Sequence, residues 1–201
     1  LSREHNYLGD HDSALYYAEQ AMGQAEIAAF SVGIAAACNR KGNVYLDLGD
    51  YARALEYYRT ALGIHGQVGN KSGMATVLGN IGVVYQRQND YPKALEYYQS
   101  ALTVDEQLGN AEGVARHLGN RAHVYIELSE YPRALQELQR ALAINERSGN
   151  TRRMANNLNS IGQVYDHMHD LPKALEYYQR SLSITERSGG RSLMATNLTS
   201  I

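Results

Sequence analysis

One spacing governs this chain: Tyr45, Tyr85, Tyr125 and Tyr165 stand forty residues apart. Ala54, Ala94, Ala134 and Ala174 keep the same interval, each followed by leucine. All three prolines (Pro92, Pro132, Pro172) share one phase of the repeat, and Gly69, Gly109, Gly149 and Gly189 share another. A strict period of this length predicts stacked copies of one supersecondary unit, each covering the apolar face left bare by its neighbour. Such stacks make long surfaces in preference to enclosed pockets, which favours binding over catalysis.

Residues 71–110 show how one unit is built. Met74, Val77, Leu78, Ile81, Val84 and Tyr85 recur at spacings of three and four, the pattern of an amphipathic helix. That helix is expected to stop near Asn89-Asp90, where Asp90 can cap a second helix and Pro92 falls in its first turn. Ala94, Leu95, Tyr98, Ala101, Leu102 and Val104 form the second helix's apolar stripe. Gly109 suits a left-handed C-terminal cap, and Asn110 can open the next unit. The fold class read here is all-α, antiparallel helix pairs in a single array over 1–201. Full repeats are expected at 31–70, 71–110, 111–150 and 151–190, with a partial repeat at 1–30 and the start of another at 191–201. Gly42, Gly82, Ala122 and Gly162 in the first helices, with Ala54, Ala94, Ala134 and Ala174 in the second, allow close helix approach, and tyrosines fill the space beside them.

Composition narrows the function. The 201 residues carry a formal charge of −2, so there is no electrostatic footprint for nucleic acid. No apolar run approaches the roughly 20 residues that span a bilayer. The one cysteine, Cys38, is expected to pack in a helix and fits a reducing, cytoplasmic setting. Leu1 to Tyr7 read as the end of one helix and Leu198 to Ile201 as the opening of another, so a piece of a longer protein is expected.

Seven histidines invite a metal reading, but no His-x-x-x-His or Cys-His spacing occurs. Gly69-Asn70-Lys71-Ser72 lacks the glycine before lysine that a phosphate loop needs, and the period places it in an inter-repeat turn. No nucleophile, base and orienting group stand together. Neither metal nor cofactor is expected, and the chain is read as non-catalytic. In Tyr57-Tyr58, Tyr97-Tyr98 and Tyr177-Tyr178 adjacent side chains point about 100° apart, so one ring should enter the core and the other its margin, not a base-stacking platform.

Leu78, Ile81, Gly82 and Tyr85, followed by Ala94, Tyr98 and Ala101, resemble the signature of the tetratricopeptide repeat. The resemblance covers essentially the whole chain and implies a right-handed α-solenoid. The period of forty exceeds the usual 34, so each helix should be a few residues longer. That length and the Leu-Gly-Asn triplets at 78–80 and 118–120 are similar to a long-repeat subgroup. It includes the Leu-Gly-Asn adaptors of spindle orientation and many bacterial signalling proteins. Two departures stand out. Lys41 and Arg121 replace the apolar residue seen as Ile81 and Ile161, and Glu137-Leu138 replaces Tyr-Tyr. The stems of Lys41 and Arg121 are expected to pack while their heads reach outward.

The resemblance implies that first-helix faces line a concave groove for a partner segment. Its positions map to Asn39, Arg40, Asn43 and Asp47, then Thr76, Asn80, Val83 and Arg87. Arg116, Asn120, His123 and Glu127 follow, then Asn156, Asn159, Gln163 and Asp166. The candidate partner-binding set is Asn39, Arg40, Asn43, Asn80, Arg87, Arg116, Asn120, His123, Asn156, Asn159 and Gln163. A carboxamide offers both donor and acceptor, so a ladder of them can hold a peptide backbone. Arg40, Arg87 and Arg116 add charge for acidic side chains. The expected function is a protein–protein interaction scaffold binding a peptide or helical segment. The alternative is a peptide-sensing regulatory segment of a larger signalling enzyme or transcription regulator. Head-to-tail self-association through uncapped ends is a third expectation.

Overall fold

The computed structural model describes residues 11–27 and 30–187. Within them lie α1 (His11–Ile27), α2 (Ser31–Asp47), α3 (Tyr51–Gln67), α4 (Lys71–Arg87) and α5 (Tyr91–Gln107). They continue with α6 (Ala111–Glu127), α7 (Tyr131–Arg147), α8 (Thr151–His167) and α9 (Leu171–Arg187). From α2 onward each helix has 17 residues and a three-residue connection, so the period of forty is two equal helices and two equal turns. The expected lengthening is therefore shared by both helices of the pair. The expected further repeat at 191–201 lies outside the described residues.

The turns explain the regularity. Gly49, Gly69, Gly109 and Gly149 take positive φ, as do Asn89, Ser129 and His169 at the matching positions. The residue after each turn serves two helices. The Asp90 N–H donates back to the Tyr85 carbonyl, closing α4, while the Asp90 carboxylate accepts from the Lys93 N–H, opening α5. Asp50, Asn70 and Asn150 also close one helix and cap the next. One residue with two duties leaves no slack, so the connection length cannot drift. Glu130 departs from the pattern: it closes α6 but its side chain makes no cap bond to α7.

The chain divides into two compact units, Leu1–Gly109 and Asn110–Ile201. In the first, Ala35 and Cys38 of α2, Ala54, Tyr58 and Ala61 of α3, and Val77, Ile81 and Val84 of α4 share one core. Cys38 is buried there, as its packing role requires. In the second, Ala122, Ala134, Leu138, Leu142, Leu158, Ile161 and Val164 do the same work.

Close approach of the helices rests on matched sizes. A Cβ on Gly42 would stand 2.5 Å from the Tyr58 ring, and one on Gly82 would stand 2.6 Å from the Tyr98 ring. Gly162 stands in the same relation to Tyr178. In the remaining repeat the small residue is Ala122 and its partner is Leu138, both buried. Glycine thus goes with tyrosine, and alanine with the shorter leucine.

The first tyrosine of each adjacent pair forms the margin. Tyr45 stacks on Tyr57 at 5.4 Å, Tyr85 on Tyr97 at 5.3 Å and Tyr165 on Tyr177 at 5.5 Å. A cation caps each stack: Arg53 over Tyr45, Lys93 over Tyr85 and Lys173 over Tyr165. The same cations pair with the cap residues Asp50, Asp90 and Asp170.

Candidate functional site

In the first unit the face in question belongs to α2 and α4. Asn39 and Asn43 lie one helical turn apart on α2, and Asn80 faces them from α4. The Asn80 amide nitrogen donates to Oδ1 of Asn39 at 2.8 Å and to Oδ1 of Asn43 at 3.3 Å. The Tyr58 hydroxyl, rising from the core on α3, donates to the same Asn43 oxygen at 2.7 Å. All three asparagines are half-buried, and Arg40 and Arg87 are exposed. These bonds consume both donors of Asn80 and both acceptor sites of Asn43. The Nδ2 groups of Asn39 and Asn43 and Oδ1 of Asn80 keep unused capacity among the described residues.

The second unit presents a different face. Arg116 and Asn120 on α6 are half-buried, and His123 is exposed. The surrounding protein still desolvates the His123 imidazole enough to lower its pKa, with Glu127 one turn on opposing the shift. On α8, Asn156 and Gln163 are exposed, whereas Asn159 retains only 8% of its surface. Asn159 thus offers little to an external ligand.

The outward reach expected of Lys41 and Arg121 is corrected by the structure. Lys41 is buried; its ammonium donates to Glu19 at 3.1 Å and to the Tyr57 hydroxyl at 3.4 Å. Burial pulls its pKa down, but the bonds to Glu19 and Tyr57 outweigh this and the net shift is upward. Arg121 pairs with Glu137 at 3.1 Å, with side-chain exposures of 15% and 10%. Arg121 also reaches the Tyr125 hydroxyl at 3.4 Å. Lys41 meets the largely exposed Glu19 and Arg121 the buried Glu137, and each pairing offsets the burial of the cation. The pair also explains Glu137-Leu138. Glu137 answers Arg121 where a tyrosine answers Ile81 or Ile161, and Leu138 answers Ala122.

Inter-helix polar contacts inside the core escaped sequence reading. Asn145 on α7 donates to Asn157 on α8 at 2.7 Å, both buried. Ser181 on α9 donates to the Ala155 carbonyl at 2.7 Å. At the phase of Asn145, α3 carries His65, whose ring packs on Gly73 of α4 so closely that no Cβ would fit there. Burial lowers the His65 pKa. The signal available was the repeat alignment itself: His65, Asp105, Asn145 and Thr185 make one column of the second helices polar, and all four are buried.

The remaining motifs resolve locally. His167 stacks on Tyr131 at 5.9 Å, and His169 occupies a positive-φ turn. Gly69 forms the turn before α4, which Asn70 caps. A shallow cleft of about 380 Å³ is lined by Glu146, Leu158, Glu176, Gln179, Arg180, Ser183 and Ile184. None of the candidate binding residues borders it. No helix of the described residues is long and apolar enough to cross a membrane.

The tetratricopeptide repeat family model matches residues 33–107 and 113–187. The chain belongs to the tetratricopeptide repeat family. No curated protein sequence matches it significantly. Among solved structures it is similar to BtubC (BKLC) of P. vanneervenii, with TM-score 0.80 and 22% identity, covering 94% of this chain and 79% of that one. Aspartyl phosphate phosphatase F of Bacillus subtilis gives TM-score 0.84 and 17% identity, over 92% of this chain and 49% of that one. A Rap protein complexed with Competence and Sporulation Factor gives TM-score 0.85 and 19% identity, over 98% and 55%. The chain therefore spans about half the length of the last two. At these identities the likeness establishes an all-α tetratricopeptide repeat solenoid and leaves chemistry to the residues themselves.

Proposed function

We propose that this chain is a non-catalytic protein–protein interaction scaffold whose first-helix face takes an extended or helical segment of a partner. The observation that carries the reading is the linked set Asn39, Asn43 and Asn80, which bridges α2 and α4 and keeps amide donors and a carbonyl acceptor in reserve. Those are the groups a peptide main chain needs, whatever its side chains. Exposed Arg40 and Arg87 beside them favour acidic side chains on the partner. The buried single thiol of Cys38 suits a reducing, cytoplasmic setting.

A peptide-sensing role within a larger regulator is the second reading. It is supported by the likeness to the Rap protein solved with Competence and Sporulation Factor, of which this chain spans 55%. Both readings place a peptide on the same residues. Panning a displayed library of short random peptides against the protein tests them. Enriched peptides should lose about tenfold in affinity, near 1.4 kcal/mol, on Asn39→Ala/Asn80→Ala, in line with two or so lost hydrogen bonds. Helicity should be unchanged. No enrichment, or equal affinity for the double variant, would refute this placement of the site.

A further inference from the structure

The three linked carboxamides of the first unit have two ways to satisfy one another. In the observed one, Asn80 donates twice, to Oδ1 of Asn39 and Oδ1 of Asn43. Turning all three amides over together preserves both contacts with the roles reversed: Asn39 and Asn43 then donate and Asn80 accepts. The flip inverts what the face offers a ligand. The observed state leaves Nδ2 donors on α2 and an acceptor on α4; the flipped state offers acceptors on α2 and donors on α4.

We propose that Tyr58 is the positioning residue that selects between these states, and so sets the direction in which a peptide main chain can be read. Its side chain is wholly buried, and its hydroxyl stands 2.7 Å from Oδ1 of Asn43. In the observed state that oxygen takes the phenolic proton. In the flipped state Asn43 would present Nδ2 instead. The phenolic oxygen could accept from that group, but its own proton would lose the Asn43 oxygen, the acceptor it has among the described residues. An unmet buried donor disfavours the flipped state by roughly tenfold or more. The ring cannot turn away, because Gly42 packs against it with no room even for a Cβ. One buried hydroxyl thus orients Asn43, Asn43 orients Asn80, and Asn80 orients Asn39. The proposal rests on the functional reading above for its ligand, an extended peptide with a carbonyl toward α2 and an N–H toward α4.

The molecule contains its own control. Tyr98 holds the same place in the next repeat, equally buried, but its hydroxyl donates at 2.7 Å to Oε1 of Gln86, outside the asparagine set. Position 83 carries valine where position 43 carries asparagine, so Tyr98 has no carboxamide of that set to orient.

The test compares Tyr58→Phe with Tyr98→Phe in the whole chain, each losing one buried hydroxyl. Side-chain amide resonances of Asn39, Asn43 and Asn80 should shift or double in Tyr58→Phe and stay in place in Tyr98→Phe. Peptides enriched on the wild-type protein should bind Tyr58→Phe about twofold more weakly, because two states of equal energy leave half of the molecules competent, and Tyr98→Phe with unchanged affinity, at similar losses of thermal stability. Unmoved amide signals in Tyr58→Phe, or equal effects of the two variants, overturn the proposal. If the wild type enriches no peptide, the functional reading fails, while the amide resonances still decide the role of Tyr58.

Discussion

Replacing Gly82 by alanine isolates the size matching that lets paired helices approach. The new Cβ would stand 2.6 Å from Cδ1 and Cε1 of Tyr98, a ring with no exposed surface and a hydroxyl tied to Gln86. Overpacking of this kind costs about 1–3 kcal/mol. Alanine returns about 0.5–1 kcal/mol of helix propensity, so the single variant should lose up to about 2.5 kcal/mol. Tyr98→Leu alone forfeits ring contacts and the bond to Gln86, about 2–3 kcal/mol together. In the double variant the added methyl occupies space the ring has vacated, as Ala122 and Leu138 do naturally. Gly82→Ala/Tyr98→Leu should then be no less stable than Tyr98→Leu, giving a coupling of about 1–3 kcal/mol between the sites. Urea denaturation followed by circular dichroism measures the cycle, and hydrogen exchange on α4 and α5 localises it. Additivity within about 0.5 kcal/mol would refute steric matching as the reason glycine sits opposite tyrosine.

Two further outcomes follow from buried polar groups. Arg121→Ile should cost about 3 kcal/mol because it strands Glu137, whereas Arg121→Ile/Glu137→Tyr should recover most of the loss by recreating the arrangement of the neighbouring repeats; thermal melts of both variants decide, and equal losses would contradict it. Burial holds the His65 pKa below its ordinary value of about 6.5, so its contribution is complete above that pH. As pH falls from there toward the lower folded pKa, the unfolded chain takes up a proton that the native chain does not, and stability declines. His65→Asn, which installs the residue found at position 145, should flatten the acid side of the stability profile; an unchanged slope would exclude His65 as its source.

The sequence by itself determined the repeating unit, its helix pairing and its turns. Period, caps and positive-φ positions are local or strictly periodic: Asp90 caps α5 because of what lies three residues on, and Gly109 turns because of its own backbone. That one ring of each tyrosine pair is buried was legible for the same reason, since helical spacing points adjacent side chains apart; Tyr58, Tyr98 and Tyr178 are those rings, each beside a glycine. Partner choice was not. Lys41 and Arg121 occupy one repeat position, and whether their charges face water or an anion depends on residues sixteen or more positions away: Glu19, Tyr57 and Glu137. Likewise Asn39, Asn43 and Asn80 could be read as a polar face, but their mutual bonds join side chains about forty residues apart, and their orientation is set by a hydroxyl from the core. Asn159 holds the repeat position of the half-buried Asn39, yet is buried. A side chain's identity limits the bonds it can make; only packing decides which partner stands within reach, and that choice belongs to the tertiary structure.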